Sequence, residues 1–336
     1  MMASCTDPYL RRARALAAFG ALHLLASACG GSTVTGEPNV PPSGSPPVQV
    51  VLFTHIEDNT PGGVLGSTAS RTSYLAQRTT LLQMAALAGR YRMRWSLQPD
   101  WKMLLAALQY EDAAMRASTG GLNVLRYLRD SLGVAIDPHS HEASGYNYTD
   151  VAHLLDSLGV GGTTVIGGHV WDPALPQFAE WDRFRVPVRG SQYPAALWRG
   201  DILMGSGTPN HVNDPIVSGV WRPRNRNDYF TDDPVGNIAC VGAYKGDVAG
   251  IAELVALYAN RQAPATCMLT ASIHVSPSEI NTPAGLLAIE NTIIKPVAAL
   301  RDGGQVVVTD FTALVGTWKV GFGGRACTYR LGVVTH

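Results

Sequence analysis

The sequence is poor in charged residues, and in lysine above all. Only 15% of its 336 residues are charged, and its lysines are Lys102, Lys245, Lys295 and Lys319. Positive and negative side chains balance to a formal net charge of zero, so charge gives no reason to expect a nucleic-acid partner. Apolar residues make up 46% of the chain, which is enough for a large core in one large domain or two ordinary ones.

Patterns that mark several other protein classes are missing as well. No Gly-x-Gly-x-x-Gly follows the first predicted strand, which argues against a dinucleotide-binding fold. No internal repeat with a period of about 20–50 residues is present. Beyond Cys29 the only cysteines are Cys240, Cys267 and Cys327. Their spacings do not suggest a zinc ribbon, and their odd number allows at most one disulfide, whichever pair forms.

The N-terminal segment lacks an apolar run long enough to span a bilayer, but it has the parts of a secretory signal. Three arginines within residues 11–14 precede an apolar stretch over residues 15–25, and small residues then lead to Cys29. We predict a signal peptide over residues 1–28. Because a cysteine after small residues resembles the bacterial lipobox, we expect Cys29 to be lipidated and to anchor the protein at the bacterial cell envelope, in the periplasm or at the cell surface. Plain secretion with cleavage nearby is the alternative.

A change of composition divides the rest of the chain. Residues 29–47 are dominated by Gly, Pro, Ser and Thr and have almost nothing to bury, which predicts a flexible linker. From residue 48 onward apolar runs begin. We therefore expect one domain over residues 48–336, with an edge strand near its C-terminal end.

Apolar runs alternate with segments of helical periodicity along this domain. The runs predict strands over residues 48–54, 91–97, 134–137, 163–166, 267–274 and 305–309, with shorter strands around 195–204 and 216–221. The periodic segments predict helices over residues 71–89, 100–108, 122–132, 148–158, 247–260 and 283–300 and from 311 onward. Such alternation is typical of an α/β protein with a parallel sheet and crossover helices. About seven or eight strands favour a distorted (β/α)7–8 barrel over an open sheet.

The most informative stretch is Val134–Glu142, in which His139 and His141 follow a short apolar run. Residues i and i+2 of an extended segment point the same way, so the two imidazoles would converge. Imidazole is the commonest protein ligand for zinc and similar metals. The pair therefore predicts a metal site at the carboxyl end of a strand.

Histidines and acids also follow the other predicted strands. In a β/α barrel these carboxyl ends carry the chemistry. The residues concerned, besides the His139/His141 pair, are His55, Glu57, Asp58, His169, His274 and Asp310. Within this set His55 shares a face with Glu57 and is an alternative metal ligand.

These motifs resemble those of the polysaccharide deacetylase family. The resemblance rests on an acidic pair after the first strand, a His-Ser cluster after a middle strand and a histidine that ends a late strand. The family belongs to the glycoside hydrolase/deacetylase superfamily, whose fold is a distorted seven-stranded β/α barrel. Its first motif, Thr-Phe-Asp-Asp-Gly, is similar to residues 54–59, which contain one extra residue and Glu in place of the first Asp. The resemblance implies that Glu57 is the catalytic base and Asp58 a metal ligand.

The second motif of the family, His-Ser/Thr-x-x-His, is matched only in part. His139 and Ser140 fit it, but Ala143 stands where the second histidine is expected. Either His141 or Glu142 would then take over the ligand role.

The resemblance implies a complete hydrolytic site. A divalent metal, with zinc favoured, would be held by Asp58, His139 and His141. His274 would be the general acid, and the substrate would be a polysaccharide or glycan whose C–N bond is hydrolysed. Further candidate site residues are His55, His169, Glu142 and Asp310.

Two other functions stay open at this point. A glycoside hydrolase on a related barrel would need two carboxylates across a cleft, such as Glu57 or Asp58 with Asp310 or Asp172. A non-catalytic sugar-binding envelope protein would keep the barrel and lose the site, and the incomplete second motif favours this option. Tryptophans near predicted loops would either stack on sugars or pack in the core; they are Trp171, Trp198 and Trp221.

Overall fold

The computed structural model describes residues 44–169, 180–206 and 216–336. The predicted signal peptide, Cys29 and most of the predicted linker lie outside these ranges, as do Trp171 and Asp172. All described residues belong to one compact unit, Asn39–His336. Within the described ranges, no helix combines the length and apolar character needed to cross a membrane.

The helices of the described part begin, for the most part, at a side chain that caps the first turn. They are α1 (Thr68–Arg90), α2 (Trp101–Tyr110), α3 (Ala113–Ala117), α4 (Val124–Asp130), α5 (Tyr148–Ser157), α6 (Val248–Ala259), α7 (Pro277–Ile280), α8 (Pro283–Ile289), α9 (Lys295–Asp302) and α10 (Phe311–Gly321). Ser67, Asp100 and Asn123, for example, accept a backbone N–H of the helix that follows. Each predicted helix is present. The one predicted over residues 283–300 divides at a π-helical turn just before Pro296, which lacks the N–H that an unbroken α-helix needs.

The strands of the described part are short, apart from the first. They are β1 (Val48–Ile56), β2 (Ser96–Pro99), β3 (Ala135–Ile136), β4 (Val165–Ile166), β5 (Val188–Arg189), β6 (Leu197–Trp198), β7 (Ile202–Met204), β8 (Val217–Trp221), β9 (Pro223–Asn225), β10 (Asp228–Asp232), β11 (Ala239–Val241), β12 (Thr270–His274), β13 (Val306–Thr309), β14 (Cys327–Arg330) and β15 (Val333–Thr335). Every residue of β1 is buried, as its apolar, β-branched sequence predicts for a central parallel strand.

A parallel sheet with β1 at its centre positions the residues of interest. Its order is β12-β1-β2-β3, and β13 also pairs with β1. On one edge of β1, Phe53 pairs with His274 of β12. On the other edge, β13 pairs with the first half of β1 and β2 with the second half. The carboxyl ends of β1, β2 and β12 therefore meet at one end of the sheet.

A second sheet has the order β15-β14-β8-β11-β7-β4. Its strands β4, β7 and β11 are parallel, whereas β8, β14 and β15 are antiparallel to their neighbours. The predicted C-terminal edge strand is thus a hairpin, β14–β15, that pairs with β8.

Two backbone contacts are among those that join the two sheets. A parallel bridge joins His139 to Gly167, beyond the ends of β3 and β4. The Ser272 N–H donates to the Ala243 carbonyl at 2.9 Å, which links β12 to the chain after β11. The α/β class is confirmed, but strand pairing in the described ranges is not one continuous ladder, so the closed barrel of seven or eight strands is not shown.

One disulfide ties the C-terminal hairpin to the central sheet. Cys267, just before β12, is bonded to Cys327 of β14, and their Cα atoms are 5.2 Å apart. Cys240 is buried outside this bond, and its sulfur lies 3.1 Å from the Tyr229 hydroxyl. The sequence prediction of at most one disulfide among the three cysteines is therefore correct.

Candidate metal centre

The end of β1 places His55 and Glu57 on the same side of the chain. His55 is a strand residue with only 3% exposure, and Glu57 comes directly after the strand ends at Ile56. Alternate residues of an extended segment point the same way. The His55 imidazole and the Glu57 carboxylate therefore face one region.

The loop after β3 brings two more imidazoles to this carboxylate. The Nε2 atoms of His139 and His141 lie 3.1 Å and 3.2 Å from Glu57 Oε2. Donor atoms of His55, Glu57 and His139 all lie within 4.8 Å of one another, and both of these histidines are buried. Two imidazoles and one carboxylate at this spacing are the donor set of many catalytic zinc sites.

A further histidine borders this cluster. His274 ends β12 next to Phe53 of β1, and its ring centroid lies 5.1 Å from that of His55. The His55 ring in turn lies 4.1 Å from the His139 ring. Four imidazoles therefore line the region around Glu57, contributed by three separate strand ends.

Glu57 and the histidines shift each other's protonation. Burial raises the pKa of the Glu57 carboxyl, but the hydrogen bonds and charges of His139 and His141 outweigh it and hold the pKa well below its ordinary value. Burial lowers the pKa of His141, whereas the hydrogen bond and charge of Glu57 and the charge of Asp100 raise it above its ordinary value overall. The carboxylate is therefore ionised at neutral pH, as a metal ligand must be.

Two glycines after β4 allow close packing around His139. A Cβ on Gly168 would lie 2.3 Å from the ring of His139, and one on Gly167 would lie 2.5 Å from the Pro138 carbonyl oxygen. Gly168 also has a φ of +78°, which favours glycine. The Tyr148 hydroxyl donates to the Gly167 carbonyl at 2.7 Å and holds this segment in place.

Asp100 is a site neighbour that sequence reasoning missed. It follows the carboxyl end of β2, is completely buried and interacts electrostatically with Asp58, His141 and Glu57. From the sequence it was a residue of the next predicted helix. Its signal was its place directly after a strand, the same criterion that identified the other candidates.

The other predicted site residues lie apart from the donor cluster or have partners of their own. Asp58 is half-buried, and the set of mutually close donors does not include it. Glu142 forms a short ion pair with Arg183. His169 is 2% exposed.

Asp310 has a structural environment. It caps α10 by accepting the Ala313 N–H at 2.8 Å, and Arg94 donates to its other oxygen at 2.9 Å. With both carboxylate oxygens in use, nothing in its contacts supports the role of a second glycosidase carboxylate beside Glu57.

Two of the tryptophans considered for sugar stacking pack inside the protein. Trp221 is 1% exposed, and its indole N–H donates to the Tyr229 carbonyl. Trp198 is half-buried, donates to the Thr163 carbonyl at 3.0 Å and stacks on Tyr148. Trp171 lies outside the described residues.

Comparisons with known proteins give similarity to solved structures. No protein-family profile and no curated protein sequence matches the chain. The PuuE allantoinase has a TM-score of 0.48 at 12% identity, covering 86% of this chain and 95% of that one. A polysaccharide deacetylase from Pseudomonas aeruginosa PAO1 has a TM-score of 0.47 at 10% identity, with coverage of 86% and 96%. A polysaccharide deacetylase from Mycobacterium smegmatis has a TM-score of 0.48 at 10% identity, covering 85% of this chain and 95% of that one.

Proposed function

We propose that this protein is a metal-dependent hydrolase that cleaves the acetamide C–N bond of an N-acetylated glycan. The observation that carries the proposal is the clustering of His55, Glu57 and His139, with donor atoms within 4.8 Å of one another at the carboxyl ends of parallel strands. A divalent metal held there would polarise the acetamide carbonyl and make water a better nucleophile. Zinc suits two imidazoles and a carboxylate and is the first metal to test.

The proposed ligand set differs from the one that the family resemblance implies. Glu57, implied as the base, takes the place of Asp58 as the carboxylate ligand, because its Oε2 lies within 3.2 Å of two imidazoles. His55 joins His139 as a ligand. His141 stays near the metal through its contact with Glu57.

The overall reaction adds water across the C–N bond. The water oxygen bonds to the carbonyl carbon, the bond to nitrogen breaks, and a proton passes to the departing amine. His274 is the proposed donor of that proton, because it lies beside His55 at the end of β12 and is only half-buried. Acetate and a glycan with a free amine are the expected products.

We further propose that the protein acts at the bacterial cell envelope. The support is in the sequence: the signal pattern of residues 1–28 and the cysteine at position 29. A lipid on Cys29 and the linker over residues 29–47 would keep the domain near an envelope glycan. Mass spectrometry of membrane-extracted protein checks this, since an unmodified Cys29 would contradict it.

Metal content and acetate release test the enzymatic proposal together. We expect about one zinc per chain and acetate release from an N-acetylated oligosaccharide, both lost in His139→Ala. His153→Ala is the control, because His153 lies on α5 against Tyr193 and should keep both. Absence of bound metal together with absence of acetate release would contradict the proposal.

A further inference from the structure

The strand register places Asp100 between two of the proposed metal ligands. Ile56 of β1 pairs with Pro99 of β2, so Asp100 is the neighbour of Glu57. Leu97 of β2 pairs with Ile136 of β3, and three residues further along the same register Asp100 meets His139. Backbone hydrogen bonds continue the register: the Asp100 N–H donates to the Ile56 carbonyl at 2.9 Å, and the His139 N–H to the Pro99 carbonyl at 3.4 Å.

The two carboxylate oxygens of Asp100 have different surroundings. Oδ1 accepts the Trp101 N–H at 2.6 Å and so caps α2. Oδ2 is buried and has no hydrogen-bond partner among the described residues. An N-cap needs one oxygen only, so helix capping does not account for the second.

A buried carboxylate oxygen without a partner is costly. Asp100 has an exposure of 0%. Loss of a hydrogen bond by a buried polar atom costs about 1–3 kcal/mol. Asn or Ser would cap α2 as well without a buried carboxylate, so a local structural role does not explain why this position is Asp.

We propose that Asp100 is a catalytic residue of this site and that its Oδ2 holds the attacking water by a hydrogen bond. The inference rests on the proposed function for the metal and the substrate, but it concerns a residue to which the motif resemblance gives no role. With Glu57 committed to the metal, Asp100 supplies a carboxylate oxygen in the row between Glu57 and His139. One oxygen fixes the side chain to α2, which leaves the other in a defined place.

Two substitutions separate this role from capping. Asp100→Asn and Asp100→Ser both keep an oxygen that can accept the Trp101 N–H, so the fold should survive in both. Asn replaces Oδ2 by an amide nitrogen, and Ser has no second oxygen. The matched control is Asp112→Asn, because Asp112 caps α3 at 2.8 Å with a half-exposed side chain. We expect kcat to fall about 100-fold in both Asp100 variants with KM changed less than about threefold, and neither to change in the control.

A cobalt readout makes the test independent of the substrate. The visible spectrum of the cobalt-loaded protein should change as the pH is raised into the alkaline range. The midpoint pH of this spectral change should be about one pH unit lower in Asp100→Asn than in the wild type, because a negative charge beside the metal is removed. If Asp100→Asn binds as much cobalt as the wild type and keeps both the wild-type midpoint pH and the wild-type kcat, the role of Asp100 is wrong and the proposed function is unaffected. Failure of the wild type to bind cobalt would overturn the proposed function and this inference together. A shifted midpoint in a protein that releases no acetate would support Asp100 and contradict only the substrate assignment.

Discussion

Replacing Asp100 by Asn should stabilise the metal-free protein at alkaline pH. Burial raises the pKa of the Asp100 carboxyl to about 7 from its ordinary 3.8; the hydrogen bond from the Trp101 N–H lowers the pKa, and the charge of Asp58 raises it further. The folded protein therefore holds this proton at pH values where the unfolded chain has lost it. Asn has no carboxyl to ionise and still caps α2, so it removes this penalty and keeps the cap.

The sign and size follow from proton linkage. Between about pH 4 and pH 7 the native state binds more protons at Asp100 than the unfolded state does, so its ionisation makes the wild type less stable as the pH rises through this window. Each pKa unit is worth about 1.36 kcal/mol, so the gap between 3.8 and about 7 gives a ceiling of about 4 kcal/mol above pH 7. Most of this loss of wild-type stability occurs above pH 5. The stability gain of Asp100→Asn should therefore be about 2–3 kcal/mol larger at pH 8 than at pH 5.

Urea denaturation of both proteins in the presence of a chelator, at pH 5 and at pH 8, measures this difference. Asp137, whose pKa burial raises to about 6, titrates in both proteins and cancels in the comparison. Asp112→Asn is the control, because Asp112 also caps a helix, α3, but has a half-exposed side chain. A difference in stability between Asp100→Asn and the wild type that is equal at the two pH values would refute the claim that this carboxyl is buried at a cost in the native state.

Two further substitutions test the surroundings of the site. Gly168→Ala should weaken metal binding by about 10–100-fold in a metal titration, because its Cβ would meet the His139 ring at 2.3 Å; Gly162→Ala shares the positive φ but has open space and should bind metal normally. Reducing the bond between Cys267 and Cys327, which are 60 residues apart, should lower the free energy of unfolding by about 4 kcal/mol, and equal urea midpoints before and after reduction would contradict this.

The elements of the fold were predictable where one local signal dominates. The apolar, β-branched run at the start of the domain gives β1, and it is buried throughout. Helical periodicity, with Gly89 near the end of the segment, gives α1 to within three residues. The strand predicted over residues 91–97 begins only at Ser96, because Arg92 adopts a φ of +53° in the turn after α1.

How the strands come together was less accessible. The bridge between His139 and Gly167 joins residues beyond any predicted strand, so no periodicity could signal it. The Cys267–Cys327 pairing depends on β14 lying against β8, which is a tertiary contact. Asp100 was not predicted as a site residue for a similar reason: in the sequence, an Asp that caps a helix looks the same as an Asp that faces a site.

The alternation of side chains along β1 explains why Glu57, and not Asp58, contacts the histidines. His55 and Glu57 are two positions apart, with only Ile56 between them, at the end of an extended strand. They therefore face the same way, whereas Asp58 has the other parity. The same spacing rule that singled out His139 and His141 therefore applies at His55 and Glu57, and the sequence already placed these two on one face. The motif resemblance implied Asp58 as the metal ligand because Asp58 is the second acid of the pair. The direction of a side chain in an extended strand depends instead on whether its position is odd or even. The extra residue between Thr54 and the acidic pair shifts that parity by one, and so Glu57 is the carboxylate that His139 and His141 contact.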